Sequence, residues 1–132
     1  NKFNLIFCRD VCIYLYTEQK YKFLKKVRSE LEDNGIFVLI DYCVGNIINN
    51  DFTNYYMNRK WNIISVPFYK KLLNDTGFTL IDDGDLTNNY IDYFKILNKD
   101  IPDNIIDNLN KKLLFLKNRN FEWHYFVLKK DN

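Results

Sequence analysis

At 132 residues the chain can hold one domain with a real core, but it is small for a complete doubly wound enzyme. Its 47% hydrophobic and 17% aromatic content excludes a disordered chain. With 19 basic residues against 17 acidic ones, a formal charge of +2 argues against a nucleic-acid partner, and no apolar run approaches the roughly 18 residues of a membrane span.

The chain opens on Phe3-Asn4-Leu5-Ile6-Phe7-Cys8-Arg9-Asp10, an apolar run that ends in a charged pair and reads as a buried strand. Ligands of open α/β sheets sit just beyond the carboxyl ends of such strands, so Arg9 and Asp10 are placed at a site where Asp10 could face an amine or hydroxyl. A strand so near residue 1 suggests the second part of a larger fold. Thr17 is expected to cap a helix, with Glu18 in its first turn. Phe23, Leu24, Val27 and Leu31 form its apolar stripe, opposite Lys20, Lys26 and Glu30. Asn34-Gly35 is expected to end it, glycine supplying the left-handed residue. Ile36 to Ile40 is a second strand, ending in Asp41-Tyr42-Cys43. Strand, helix and strand with short joints predict a βαβ unit, with parallel strands and both sheet faces covered.

Residues 45–62 suggest a loop and a short helix carrying Phe52, Tyr55, Tyr56 and Arg59. Ser65 and Pro67 open another helix with Phe68, Leu72 and Leu73 inward, closed by Gly77. Phe78 to Ile81 is a third strand, followed by a solvated acidic turn, Asp82-Asp83-Gly84-Asp85. Helices follow near 87–98, with Tyr90, Phe94 and Leu97 on one face, and near 103–117, with Ile105, Leu109, Leu113 and Leu116 together. Phe121 to Lys129 is the last strand. The opening residues carry no signal-peptide pattern. Cys8, Cys12 and Cys43 lack zinc-ligand spacing, which favours reduced thiols and a cytoplasmic protein.

No nucleophilic triad, glycine-rich phosphate loop or metal-ligand spacing is present, and the single histidine, His124, reads as structural. What remains is a set of aromatics and cations: Tyr42, Tyr55, Arg59, Trp61, Lys111 and Lys112. Arginine offers a fork to phosphate, lysine a point charge and tyrosine a hydroxyl. Aromatic faces beside a cation would also suit a methylated ammonium. The same residues are open to a plainer reading as surface charge and core aromatics.

Taken in order, Phe3-Asn4-Leu5-Ile6-x-x-Arg9-Asp10, Asp41-Tyr42-Cys43, Phe52-x-x-Tyr55-x-x-x-Arg59-Lys60 and Ser65-Val66 resemble the phosphoethanolamine N-methyltransferases, especially the single-domain malaria-parasite type. The resemblance runs from residue 1 to about 80, thins across 81–110, and returns in Trp123-x-Tyr125-Phe126. It implies the C-terminal half of a Rossmann-like class I methyltransferase fold, α/β with a mostly parallel sheet and flanking helices. It implies methyl transfer from S-adenosylmethionine to a phosphobase amine, towards phosphocholine. By position, Arg9 matches a residue beside the cofactor and Asp10 the carboxylate that contacts the substrate amine. Tyr42, Tyr55, Arg59 and Lys112 match a cage around the substrate phosphate.

Three departures stand out. The family's catalytic histidine falls on Tyr14, and a phenol does not accept a proton at neutral pH as imidazole does. A cage tyrosine falls on Trp61, which offers an indole N–H in place of a hydroxyl. The N-terminal half, with its glycine-rich cofactor loop, is missing, so S-adenosylmethionine is expected to bind only when that half is present. The expected partners are a small phosphobase and the missing half or another chain. The rival reading is a degenerate or truncated relative that binds a phosphorylated small molecule, or a partner chain, without turnover.

Overall fold

The computed structural model describes residues 2–97 and 101–131. Strand β1 (Phe3–Arg9) leads through a short 3-10 turn (Cys12–Tyr14) into α1 (Thr17–Glu30) and β2 (Leu31–Val44). Helix α2 (Asn50–Asn58), the two-residue strand β3 (Ile64–Ser65), α3 (Val66–Asp75) and β4 (Phe78–Asp85) follow. The chain ends with α4 (Thr87–Leu97), α5 (Asp103–Lys117) and β5 (Phe121–Lys130). Residue 98, included in the expected helix near 87–98, lies outside the described residues.

The βαβ unit forms as expected, with Leu5 to Arg9 pairing in parallel with Ile36 to Ile40. The sheet order is β1-β2-β5-β4, with β3 on the end of β2. Because β5 runs antiparallel to both β2 and β4, the sheet is mixed, and the parallel pairing expected for most of it is confined to β1, β2 and β3. The α/β class with flanking helices holds.

Side-chain alternation along β2 divides the core. Phe37, Leu39 and Cys43 enter an aliphatic layer with Leu24 and Val27 of α1 and Leu72 and Leu73 of α3. Tyr42 points the other way, into an aromatic layer with Phe52, Tyr55, Trp61, Tyr90, Phe115 and Phe121. These two layers fix the site, because Tyr42 stands at the edge of the aromatic one.

Several local expectations are corrected by long-range contacts. β1 is an edge strand with Phe3 54%, Leu5 61% and Phe7 59% exposed, not a buried one. Leu5 and Phe7 pair with Ile36 and Val38, both half-buried, so the sheet face above them is not covered as the βαβ pattern predicted. Thr17 is the first residue of α1 rather than its cap, and the Gln19 side chain instead accepts the Tyr16 N–H at 2.9 Å. Helix α1 stops at Glu30, and Asn34-Gly35 falls in the irregular start of β2, where the register with β1 shifts. Lys20, expected on the solvent face, is fully buried. In α3 it is Tyr69 that is buried, while Phe68 is 40% exposed. Ser65 caps this helix, its Oγ accepting from the Phe68 N–H, and Gly77 closes it at φ +94°. Ile105 and Leu97 are exposed, whereas Leu113, Phe115 and Leu116 carry α5 into the core.

The acidic stretch 82–85 is not a solvated turn. It continues β4 against β5, where Asp83 meets His124 Nε2 at 2.7 Å and Lys70 at 3.2 Å. Asp85 pairs with Arg119 at 2.6 Å. His124 therefore holds strand to strand, as its structural reading required. The three cysteines are buried and free. Among the described residues no helix is long and apolar enough to cross a membrane, and no group of three potential ligands could hold a metal ion.

Candidate active site

Asp10 follows β1 in the left-handed region, φ 56°, a conformation that aspartate tolerates better than most residues. Its N–H donates to the Ile40 carbonyl at 3.0 Å, so the turn is pinned to β2 while the carboxylate is redirected across the sheet end. There the Trp123 indole Nε1 donates to one oxygen at 3.0 Å, and Arg9 Nε approaches the other at 3.3 Å. The Arg9 guanidinium lies 4.8 Å from the Trp123 ring centroid. One carboxylate, one cation and one indole thus form a closed triangle at the carboxyl end of β1, beside the Ile40–Tyr42 stretch of β2.

Tyr42 stands beside this triangle. Its ring stacks on Trp61 at 5.0 Å and 19°, and its hydroxyl shares a 2.9 Å hydrogen bond with Tyr90. Lys112 Nζ donates to the same hydroxyl at 2.5 Å, lying 4.5 Å from the Tyr42 ring centroid and 5.2 Å from that of Tyr90. Burial lowers the Lys112 pKa to about 8, and the Arg59 and Arg9 charges act in the same direction while Asp10 opposes them. Burial likewise pushes Tyr90 up to about 12 and raises Tyr42 further.

Helix α2 supplies the third group. Asn49 caps it by accepting the Phe52 N–H at 2.9 Å, which sets the helical phase so that Tyr55 and Arg59 sit one turn apart. The Arg59 guanidinium lies 4.4 Å from the Tyr55 ring centroid and 6.0 Å from that of Trp61. Lys60, left-handed at φ 59°, folds the chain back so that Trp61 faces Tyr55 edge-on at 5.7 Å. Tyr55 Oη, Arg59 Nε and Trp61 Nε1 are all buried without a hydrogen-bond partner. A native interior rarely leaves such polar atoms unpaired, so three together in one aromatic cluster call for an acceptor.

Arg9, Asp10, Tyr42, Tyr55, Arg59, Trp61 and Lys112 therefore converge on one end of the molecule. Between Asp10 and Tyr14 the backbone runs through a left-handed residue and a 3-10 turn rather than one continuous α-helical turn. Tyr14 is 58% exposed, and burial raises the Tyr55 pKa, an effect that the Arg59 charge opposes and Tyr14 adds to. Lys111 is exposed and lines a groove between α2 and α5 with Tyr55 and Arg59. Tyr90 and Trp123 were missed as site residues. Tyr90 reads in sequence as part of a packing face, whereas Trp123 stood in the terminal motif of the resemblance and carried a usable signal.

No family model matches the chain. The phosphoethanolamine N-methyltransferase of Plasmodium falciparum is 25% identical over 148 aligned positions, which take in 99% of this chain and 56% of that protein. The phosphoethanolamine N-methyltransferase 2 of Haemonchus contortus, solved with S-adenosyl-L-methionine, superposes with a TM-score of 0.82 at 19% identity, covering 98% of this chain and 34% of the other. The same nematode enzyme in complex with phosphomonomethylethanolamine and S-adenosylhomocysteine gives 0.78 at 20% identity, over 98% of this chain and 34% of that one. The chain thus spans about half the length of the curated relative it matches. Its fold is that of the S-adenosylmethionine-dependent methyltransferases, and its sequence resembles the C-terminal part of the phosphoethanolamine N-methyltransferases.

Proposed function

We propose that the chain is the substrate-binding half of a methyltransferase that moves a methyl group from S-adenosylmethionine to the amine of a phosphobase such as phosphoethanolamine. The observation that carries this reading is the set of orphaned donors on Tyr55, Arg59 and Trp61. A phosphate monoester supplies three acceptor oxygens and close to two negative charges at neutral pH. Arg59 and Lys112 offer two positive charges beside those donors, while Asp10 offers one negative charge towards an ammonium. The site is complementary to a molecule with a dianion at one end and a cation at the other.

The cofactor would supply an electrophilic methyl at a sulfonium. Arg9 is this chain's residue for holding it, since its side chain is 53% exposed at the end of β1. The remaining steps belong to protein groups. Asp10, fixed by Trp123, orients the amine; the phosphate cage fixes the distance; and the ammonium must lose its proton before its lone pair can form the new N–C bond as the C–S bond breaks. We propose further that the rest of the fold packs over Leu5, Phe7, Ile36 and Val38, completing the cofactor site. The coverage of about half of the curated relative supports this arrangement.

A second reading, binding without turnover, is favoured by Tyr14, which provides no imidazole beside Asp10. Binding is tested by titrating phosphoethanolamine, ethanolamine and inorganic phosphate while following the two indole N–H resonances. Phosphoethanolamine should shift Trp61 as its N–H gains an acceptor, and ethanolamine should not. A Trp61 signal unmoved by millimolar phosphoethanolamine would sink the proposal. Methyl transfer by the whole protein separates enzyme from binder.

A further inference from the structure

One side chain outside the cluster touches both segments that shape it. The Lys20 ammonium, fully buried, donates to the main-chain carbonyls of Cys12 at 2.6 Å, Leu15 at 2.5 Å and Asn62 at 2.9 Å. Cys12 and Leu15 lie in the segment directly behind Asp10, and Asn62 directly follows Trp61. The two segments also join through the Asn62 N–H to the Ile13 carbonyl at 2.6 Å and Asn62 Nδ2 to the Leu15 carbonyl at 3.1 Å. An ammonium has three donors and no acceptor, so Lys20 is fully spent on these carbonyls. Burying such a charge is costly unless it is well bonded, and an apolar side chain here would leave the Cys12 carbonyl only the Leu15 N–H, the Leu15 carbonyl only Asn62 Nδ2, and the Asn62 carbonyl without this donor. Burial lowers the Lys20 pKa and the Asp41 carboxyl opposes that shift, while Cys12 and Cys43 lie on the same side.

We propose that Lys20 is a positioning residue whose ammonium clamps the segment behind Asp10 to the segment behind Trp61, holding the amine-facing and phosphate-facing halves of the site in register. The functional part of this inference rests on the phosphobase reading; the clamp itself needs no ligand.

The test compares wild type with Lys20→Met, in sodium chloride and in ammonium chloride of equal ionic strength. Ammonium ion can re-enter the three-carbonyl cage, whereas sodium chloride gives no such donor. In the variant, the Trp61 indole resonance should move or broaden and phosphoethanolamine affinity should fall at least tenfold. Ammonium should reverse both effects in the variant and leave wild type unchanged. A folded Lys20→Met with wild-type indole signals and affinity overturns the clamp. If wild type itself does not bind phosphoethanolamine, the phosphobase reading fails, and the indole signal with its ammonium rescue alone judges the clamp. Should Lys20→Met not fold, nitrogen-15 lysine spectra of wild type decide. A clamped ammonium gives a slowly exchanging N–H signal at neutral pH, and its absence overturns the proposal.

Discussion

The indole of Trp123 donates to the carboxylate of Asp10 across 3.0 Å, joining residues 113 positions apart in the chain. The same ring meets Tyr90 edge-on at 4.8 Å and lies under Arg9, so the carboxylate is aimed by a side chain that also packs against Tyr90, the hydrogen-bond partner of Tyr42. Trp123→Phe keeps an aromatic ring and removes the donor. We expect a stability loss of about 1.5–3 kcal/mol, as for a hydrogen bond to a charged group, measured by urea unfolding. Phosphoethanolamine affinity should weaken with it. A variant as stable as wild type with unchanged affinity would mean that Asp10 is held by its backbone alone.

Phosphate recognition should depend on Arg59 far more than on Tyr55. Removing a guanidinium from a buried charge pair typically costs about 2–5 kcal/mol, against about 0.5–1.5 kcal/mol for a neutral hydroxyl. In the whole protein, Arg59→Ala should therefore lose phosphoethanolamine binding by a much larger factor than Tyr55→Phe, as read by calorimetric titration. Small and equal losses would place the phosphate elsewhere.

Binding should also weaken with alkali. Lys112 loses its proton near pH 8 in the free protein, because burial disfavours its charge. An anion requires the charged form, so affinity for the phosphate should be steady just below that pH and fall up to tenfold per unit above it. Lys112→Met should bind more weakly and show no such fall. Identical profiles for the two proteins would remove Lys112 from the cage.

Asp41 has the opposite consequence, and for stability rather than binding. It is fully buried, accepts from the Tyr69 hydroxyl and from the Tyr42 N–H at 2.9 Å, and burial raises its pKa to about 7. The folded state then binds a proton more tightly than the unfolded chain, whose carboxyl titrates near 4. This contribution is complete below pH 4 and is lost as pH rises through about 7. Asp41→Asn, which mimics the neutral acid, should flatten that part of the stability profile. Parallel profiles for both proteins would show that Asp41 titrates as an ordinary carboxyl.

Tyr14 bears on turnover. If position 14 serves as the base position, Tyr14→His in the whole protein should raise methyl transfer by on the order of 10²-fold. The exposed Tyr14 side chain leaves room for that substitution. Brisk wild-type turnover that drops on introducing histidine would give Tyr14 a role of its own.

Local pattern was enough for the βαβ unit and for the boundaries of α3 and α5 within a few residues, and it put forward Arg9, Asp10, Tyr42, Tyr55, Arg59, Trp61, Lys111 and Lys112 as candidates. Alternation along a strand and i, i+4 recurrence along a helix depend on near neighbours, and the linear order of those residues carried the resemblance. The tertiary structure alone decided which faces are covered. Strand β5 enters between β2 and β4, pairing Asp41 with His124 and Tyr42 with Trp123, and no short-range pattern encodes that pairing. It turns the acidic stretch 82–85 into a strand and brings Trp123 to Asp10 and Tyr90. Lys20 lies on a helix face that reads as polar, yet it is buried because carbonyls from residues 12, 15 and 62 converge on it. Charge and periodicity say where a side chain can point, while burial depends on what arrives from elsewhere in the chain to meet it.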